Sequence, residues 1–345
     1  MQVTAGVVGS YPKPPHDGQP FRLRASIAAF ERGEIAAADL ARVQDALIEE
    51  LIGEQVAAGV DLVTDGHVRW ADAQTPLAAG LEGFTASHDD LIRYFDNNTY
   101  YRRPHVTGPV RWREPITVDG WRFASSVAER PVKQTLTGPY SLVRLSRNEF
   151  YEDEADLVLD VARALNAEAR ALESAGATYV QFDEPAIVAH PSAAQGPQDF
   201  GLAFAAAAAV TEGLGLTTEI RTFFGGVEQP AADFFALPFD VFGLDFVDGA
   251  SNWDLVAGLP LDRRLSAGLL DGRATALEPL DALDDQIRRL AELTGRDRLE
   301  VTPSCGLEYL PRDRAQRKLH RLTEAVRAAS AAEGVQEGVQ GGVRW

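Results

Sequence analysis

The sequence predicts an α/β fold, a (β/α)8 TIM barrel with a long hairpin-containing insertion between its second and third strands. Three observations predict it. Eight short, mostly apolar runs are spread along the chain, as for parallel strands covered on both faces. Longer stretches rich in Ala, Leu, Glu and Arg, with helical periodicity, separate most of them. Polar and titratable residues gather just after the runs, at the strand ends where a barrel carries its site. Alternation alone does not specify closure, so a doubly wound sheet satisfies the same pattern.

Taken in order, the strands are expected at Gly6–Ser10, Val60–Asp65, Lys133–Gly138, Tyr179–Asp183, Thr217–Phe224, Val241–Phe246, Leu265–Asp271 and Leu299–Ser304. Helices are expected at Ala36–Ala58, Glu154–Ala175, Phe200–Glu212, Pro230–Leu237, Leu280–Leu293 and Arg312–Ala331. Gly176 and Gly213 stand where C-caps belong, and Asp281 and Asp284 occupy a first turn that the helix dipole favours. The insertion, about residues 73–130, contains the aromatic stretch Arg93–Arg102 and the segment Ile116–Phe123. Asp119-Gly120 at the centre of the latter reads as a hairpin turn. A single barrel domain over 1–332 is expected, followed by a frayed, low-complexity tail over 333–345.

The chain has 345 residues, with 33 Lys+Arg against 51 Asp+Glu, a net charge of −18. Such an acidic surplus argues against nucleic-acid partners, because little would release counterions from a polyanion. No apolar run approaches the roughly 20 residues of a membrane span. The N-terminal residues lack the basic start and longer apolar core of a signal peptide. The single cysteine, Cys305, cannot form an intrachain disulfide, which suits a reducing, cytoplasmic setting.

The expected strand ends supply the candidate site: Ser10, Asp65 with His67, Thr137 through Ser141, Asp183-Glu184, Phe223-Phe224, Asp245, Arg273 and Cys305. Asp183 and Glu184 stand out, since two adjacent acids follow an apolar strand and at least one needs a cationic or hydrogen-bonded partner. Asp65 also reads as a turn or helix cap, His67 as a surface histidine and Cys305 as a small buried hydrophobe. The glycine pairs complete neither a G-x-G-x-x-G nor a P-loop pattern, so no nucleotide cofactor is expected.

Several of these pieces stand in a familiar order. Gly9-Ser-Tyr-Pro12, Asp65-Gly66, Thr137-Gly-Pro-Tyr-Ser141, Gln181-Phe-Asp-Glu-Pro-Ala186, Gly243-Leu-Asp-Phe246, Gly268-Leu-Leu-Asp271 with Glu278, and Pro303-Ser-Cys-Gly-Leu307 run through nearly the whole chain. The set resembles the catalytic domain of cobalamin-independent methionine synthase, especially its short single-domain relatives. The resemblance implies a (β/α)8 barrel that transfers a methyl or alkyl group to a small thiol such as homocysteine. It also implies activation of that thiol by zinc, which lowers its pKa, and a folate or corrinoid-protein methyl donor.

By that resemblance Ser10 and Asp183 hold the amino-acid part of the substrate, Thr137–Ser141 serve the donor's site, and Cys305 is the last zinc cysteine. The family's His-x-Cys pair falls on Thr222 and Phe224, and its glutamate ligand on Asp245. Its substrate-facing acid falls on His67, and a histidine expected near the seventh strand falls on Arg273. The inherited metal set is therefore reduced to Cys305 and Asp245, short of the three protein ligands of a catalytic zinc site, unless His67 completes it. Phe223 and Phe224 should dry and narrow that side of the pocket. Three readings follow: a methyltransferase; a zinc-free barrel enzyme using Asp183, Glu184 and His67 on another small polar acid; and an inactive binding relative.

Overall fold

The computed structural model describes residues 2–16, 20–86, 89–191, 198–227 and 234–331. Its strands in chain order are β1 (Thr4–Ala5), β2 (Glu82–Thr85), β3 (Leu91–Arg93), β4 (Tyr100–Arg102), β5 (His105–Arg111), β6 (Gln134–Thr137), β7 (Arg147–Asn148), β8 (Tyr179–Asp183), β9 (Thr217–Arg221), β10 (Val241–Asp245), β11 (Arg264–Leu270) and β12 (Leu299–Pro303). Seven of them pair in parallel in the order β1-β12-β11-β10-β9-β8-β6. Isolated parallel bridges from Gly6 to Leu62 and from Val63 to Val132 tie the Leu62–Val63 segment to both edges of that sheet. The arrangement is TIM-barrel-like.

The second expected strand, Val60–Asp65, is cut down to those two bridges for a local reason. The backbone N–H of Thr64 donates to Gln55 Oε1 at 3.0 Å, and Gln55 Nε2 donates back to the Thr64 carbonyl at 3.0 Å. A helix side chain thus takes the groups a neighbouring strand would have used. The fifth expected strand also stops early, at Arg221 rather than Phe224. Phe224 has φ 72°, a left-handed conformation that no strand accommodates.

Helices cover the sheet largely as the periodicity requires. In Glu154–Ser174 the buried residues Leu157, Val158, Val161, Ala162, Leu165, Ala169 and Leu172 form one stripe, and Asp153 caps the start by accepting from Ala155 N at 2.9 Å. Helices also run over Ala37–Ala58, Phe200–Thr211, Leu280–Thr294 and Arg312–Ala331, and an unforeseen one over Arg22–Glu31. The first half of the expected Pro230–Leu237 helix, residues 230–233, and the tail 333–345 lie outside the described residues.

Between Val63 and Val132 the chain builds antiparallel pairs of β2 with β5 and of β3 with β4. The hairpin expected at Ile116–Phe123 is not one of them: Val118–Val127 is a helix. Its start is held by Glu168, which accepts from the backbone N–H groups of Ile116 and Thr117 and from Thr117 Oγ1. Val118, Trp121 and Ala124 then bury one helical face, and this spacing outweighs the Asp-Gly turn signal.

Among the described residues, Lys133, Glu219, Arg221 and Glu300 are charged side chains buried inside the barrel. Lys133 Nζ is 3.2 Å from Glu219 and 3.7 Å from Glu300, and Arg221 Nε is 3.1 Å from Glu219. Arg221 also donates to Ser266 Oγ and Thr302 Oγ1, each at 2.8 Å. Gly243 is required beside this cluster, since a Cβ there would lie 2.6 Å from Arg221 Nε and 2.7 Å from Glu219.

Candidate functional site

A cavity of about 310 Å3 opens at the C-terminal ends of the strands. The segments after β1 and β12 contribute Ser10, Lys13, Cys305, Glu308 and Tyr309; β8 contributes Asp183, and the segment after β9 Phe223 and Phe224. Trp70 and Gln74 close it on one side, and Tyr94, Thr99 and Tyr101 reach in from the β3–β4 hairpin and its turn. Six of the residues expected at the site from the sequence meet here: Ser10, His67, Asp183, Phe223, Phe224 and Cys305.

Asp183 lies at the end of β8, where Gln181 Nε2 donates to its Oδ1 at 2.6 Å and to the Val8 carbonyl at 2.9 Å. Burial pushes the Asp183 carboxyl up to about 7, against the pull of that hydrogen bond and of Arg221 below it. The group therefore takes up or releases a proton near neutrality and gains most from a cationic ligand. Glu308 stays open to the cavity yet is surrounded by protein, and this desolvation raises its pKa as well.

His67 holds the wall in place and stays neutral. Its Nδ1 shares a 2.8 Å hydrogen bond with Ser10 Oγ, its Nε2 pairs with Thr135 Oγ1, and its ring stacks on Trp70 at 4.4 Å. Burial pulls it down to about 4. Its backbone has φ 54°, so two non-glycine residues on the cavity wall, His67 and Phe224, adopt left-handed conformations. Such strain gathers at functional sites. With both ring nitrogens engaged, His67 offers nothing to a metal.

The other sequence candidates line no part of the cavity. Asp65 accepts from His67 N at 2.9 Å and shapes the turn. Glu184, pushed up to about 7 by burial, accepts from the backbone N–H groups of Tyr140 and Ser141 at 3.0 and 2.8 Å. It lies over Gly138, where a Cβ would come within 2.4 Å of its carboxyl carbon. Ser141 Oγ accepts from Ala186 N at 3.1 Å, and Thr137 Oγ1 donates to the Ala73 carbonyl at 2.8 Å. Arg273 bridges Asn97 and Asp248 at 3.2 and 2.5 Å and covers the Phe224 ring at 5.0 Å.

Sequence reasoning missed Lys13, Gln74 and Glu308. Lys13 donates to the Trp70 carbonyl, and burial lowers its pKa. Gln74 is fully buried, yet neither its Oε1 nor its Nε2 meets a partner among the described residues. An amide left so against a cavity is costly unless a ligand or water satisfies it. Glu308 stands only three residues after Cys305, and Lys13 three after Ser10, so scanning a turn beyond each strand end would have found both. Gln74 carries no comparable signal.

The donors do not make a zinc site. Asp245 accepts from the backbone N–H groups of Phe224, Val247 and Asp248 at 3.0, 2.8 and 3.0 Å, which makes it a loop brace outside the cavity. Thr222 Oγ1 donates to the Gly243 carbonyl. Cys305 packs into an apolar cluster with Val8 and Phe223, with no histidine or acid grouped beside it to complete a metal site among the described residues. Among the described residues no three His, Cys, Asp or Glu side chains are grouped to hold an ion.

The profile of the cobalamin-independent synthase catalytic domain matches residues 2–330. The chain belongs to that family. Within it, the methionine synthase of Saccharolobus solfataricus is 30% identical over 93% of either chain. That of Sulfurisphaera tokodaii is 28% identical over 93% of this chain and 90% of its own. A B12-independent methionine synthase from Shewanella sp. W3-18-1, solved with selenomethionine, superposes with a TM-score of 0.83 at 20% identity. The match covers 97% of this chain and 100% of that one. This family member thus keeps the fold, and its described residues group no donor set for a zinc ion. No helix among its described residues is long and apolar enough to cross a membrane.

Proposed function

We propose that the cavity binds a small amino-acid-like thiol, such as homocysteine, and that the chain transfers a methyl or alkyl group to its sulfur. The observation that carries this reading is Asp183, the one acid of the expected Asp183-Glu184 pair that faces the cavity. It lines the same cavity as Ser10, Lys13 and Gln74. Asp183 grips the substrate ammonium, and Ser10, fixed by His67, meets the polar end of the molecule. Lys13 and Gln74 supply donors for a carboxylate. The sulfur then points toward the apolar wall of Phe223, Phe224 and Cys305, away from water. Family membership supports the reaction class, and the relatives named methionine synthase support the acceptor.

The reading is tested by calorimetry with homocysteine and its desthio analogue 2-aminobutyrate, and by mass-spectrometric detection of methionine. Binding of homocysteine that weakens on Asp183→Asn supports it. A protein that binds neither amino acid, or whose Asp183→Asn variant binds unchanged, overturns it. Preferential binding of a different small acid would favour a zinc-free barrel enzyme with another substrate.

A further inference from the structure

We propose that the wall which in this family would carry zinc has become an aromatic box for the onium group of a methyl donor, a methylsulfonium or quaternary ammonium, in a metal-free transfer. The proposal rests on the acceptor assignment above and names the donor class. Four cavity-lining rings carry it. Phe224 meets Phe223 at 4.7 Å and 81°, Tyr94 at 6.3 Å and 80°, and Tyr309 at 6.3 Å and 68° between ring centroids and planes. The contacts are edge to face rather than stacked, Phe95 packs on Phe224 from behind them at 5.6 Å, and the four cavity-lining rings come from three separate parts of the chain. Arg273 covers one face of Phe224 at 5.0 Å without lining the cavity, so the ring's other face is the one left for a ligand cation. Glu308 and Asp183 add negative charge to the same space. Aromatic faces backed by carboxylates attract a desolvated onium ion.

The chemistry argues for the same donor class. A methyl group on a neutral tertiary amine leaves an amide-like anion unless that nitrogen is protonated, so its transfer depends heavily on activation of the thiol. Asp245, Thr222 and Phe224 offer no metal to do this. An onium donor needs less help, because its leaving group departs neutral. The acceptor thiol gives its proton to Glu308. Its sulfur then forms a bond to the methyl carbon, and the donor's S–CH3 or N–CH3 bond breaks with its electron pair staying on the departing atom. A thioether product, a neutral leaving group and a protonated carboxyl result, with no change of oxidation state at the protein.

The test uses the whole protein purified from zinc-supplemented medium. Elemental analysis should find far less than one zinc per chain. Calorimetry compares dimethylsulfoniopropionate with 4-methylpentanoate, its neutral isostere with the same carboxylate, and glycine betaine probes the ammonium arm. Dimethylsulfoniopropionate or betaine should bind at least tenfold more tightly than the isostere. Phe223→Leu and Tyr309→Leu should each shrink that preference about tenfold while the unfolding midpoint holds. Methionine formation from homocysteine with either onium compound, unaffected by chelator, completes the expected result. Stoichiometric zinc, or equal binding of onium and isostere, overturns the proposal even where homocysteine binds. Failure of homocysteine binding strikes the acceptor assignment instead, and the onium preference is still decided by the binding comparison.

Discussion

The barrel interior and the cavity above it both bury charge, and they differ in how they pair it. Inside, Lys133, Arg221, Glu219 and Glu300 sum to zero and face one another. Burial alone would raise both acids: at Glu219 Lys133 and Arg221 overcome it and hold the carboxyl below its usual range, while at Glu300 burial still outweighs the pull of Lys133. In the cavity, Asp183 and Glu308 face open space, Gln74 has no partner among the described residues, and burial raises both acids. Charges closed upon themselves hold a structure; charges left open wait for a ligand. Proximity to a strand end does not separate the two, because Glu184 and Asp245 stand at strand ends and are spent on backbone N–H groups.

The contrast can be broken most sharply from below. Glu219→Gln leaves two cations without their shared anion and should cost about 3–5 kcal/mol of folding stability in a denaturant titration. A loss under 1 kcal/mol would mean the interior cluster is not held by its charges. Asp183→Asn should do the reverse, leaving the unfolding midpoint nearly unchanged while weakening an ammonium-bearing ligand by about 2–4 kcal/mol. The pH dependence carries the sign. Asp183 binds a cation only when ionised, so affinity should rise as pH climbs through about 7. That inflection should vanish in the Asn variant, although Glu184 has a similar pKa. Gln74→Met replaces an orphaned amide with an apolar chain of similar length. It should raise the stability of the ligand-free protein by about 1 kcal/mol and weaken ligand binding, as calorimetry and thermal melts would record. Arg273→Ala removes a half-exposed clasp on Phe224 and should cost about 1 kcal/mol or less.

Much of the architecture was readable because it depends on local patterning. Short apolar runs and helical stripes such as Leu157–Leu172 are written in residue order. So is the placement of Asp183 at the end of its strand and of Ser10, Phe223 and Cys305 after theirs, which put them at one rim. The Ile116–Phe123 segment misled because a turn dipeptide competes with helical spacing, and the winner is chosen by Glu168, about 50 residues away. The clipped second strand likewise depends on Gln55 reaching the Thr64 backbone.

Residue order alone determined the class of fold and the family, since each is a matter of residue type at a position. Tertiary structure decided which acids are free to act. Whether a carboxylate meets a backbone N–H, a lysine or an empty space depends on segments that only folding brings within a few ångströms. Burial then sets its proton affinity according to which of these it meets.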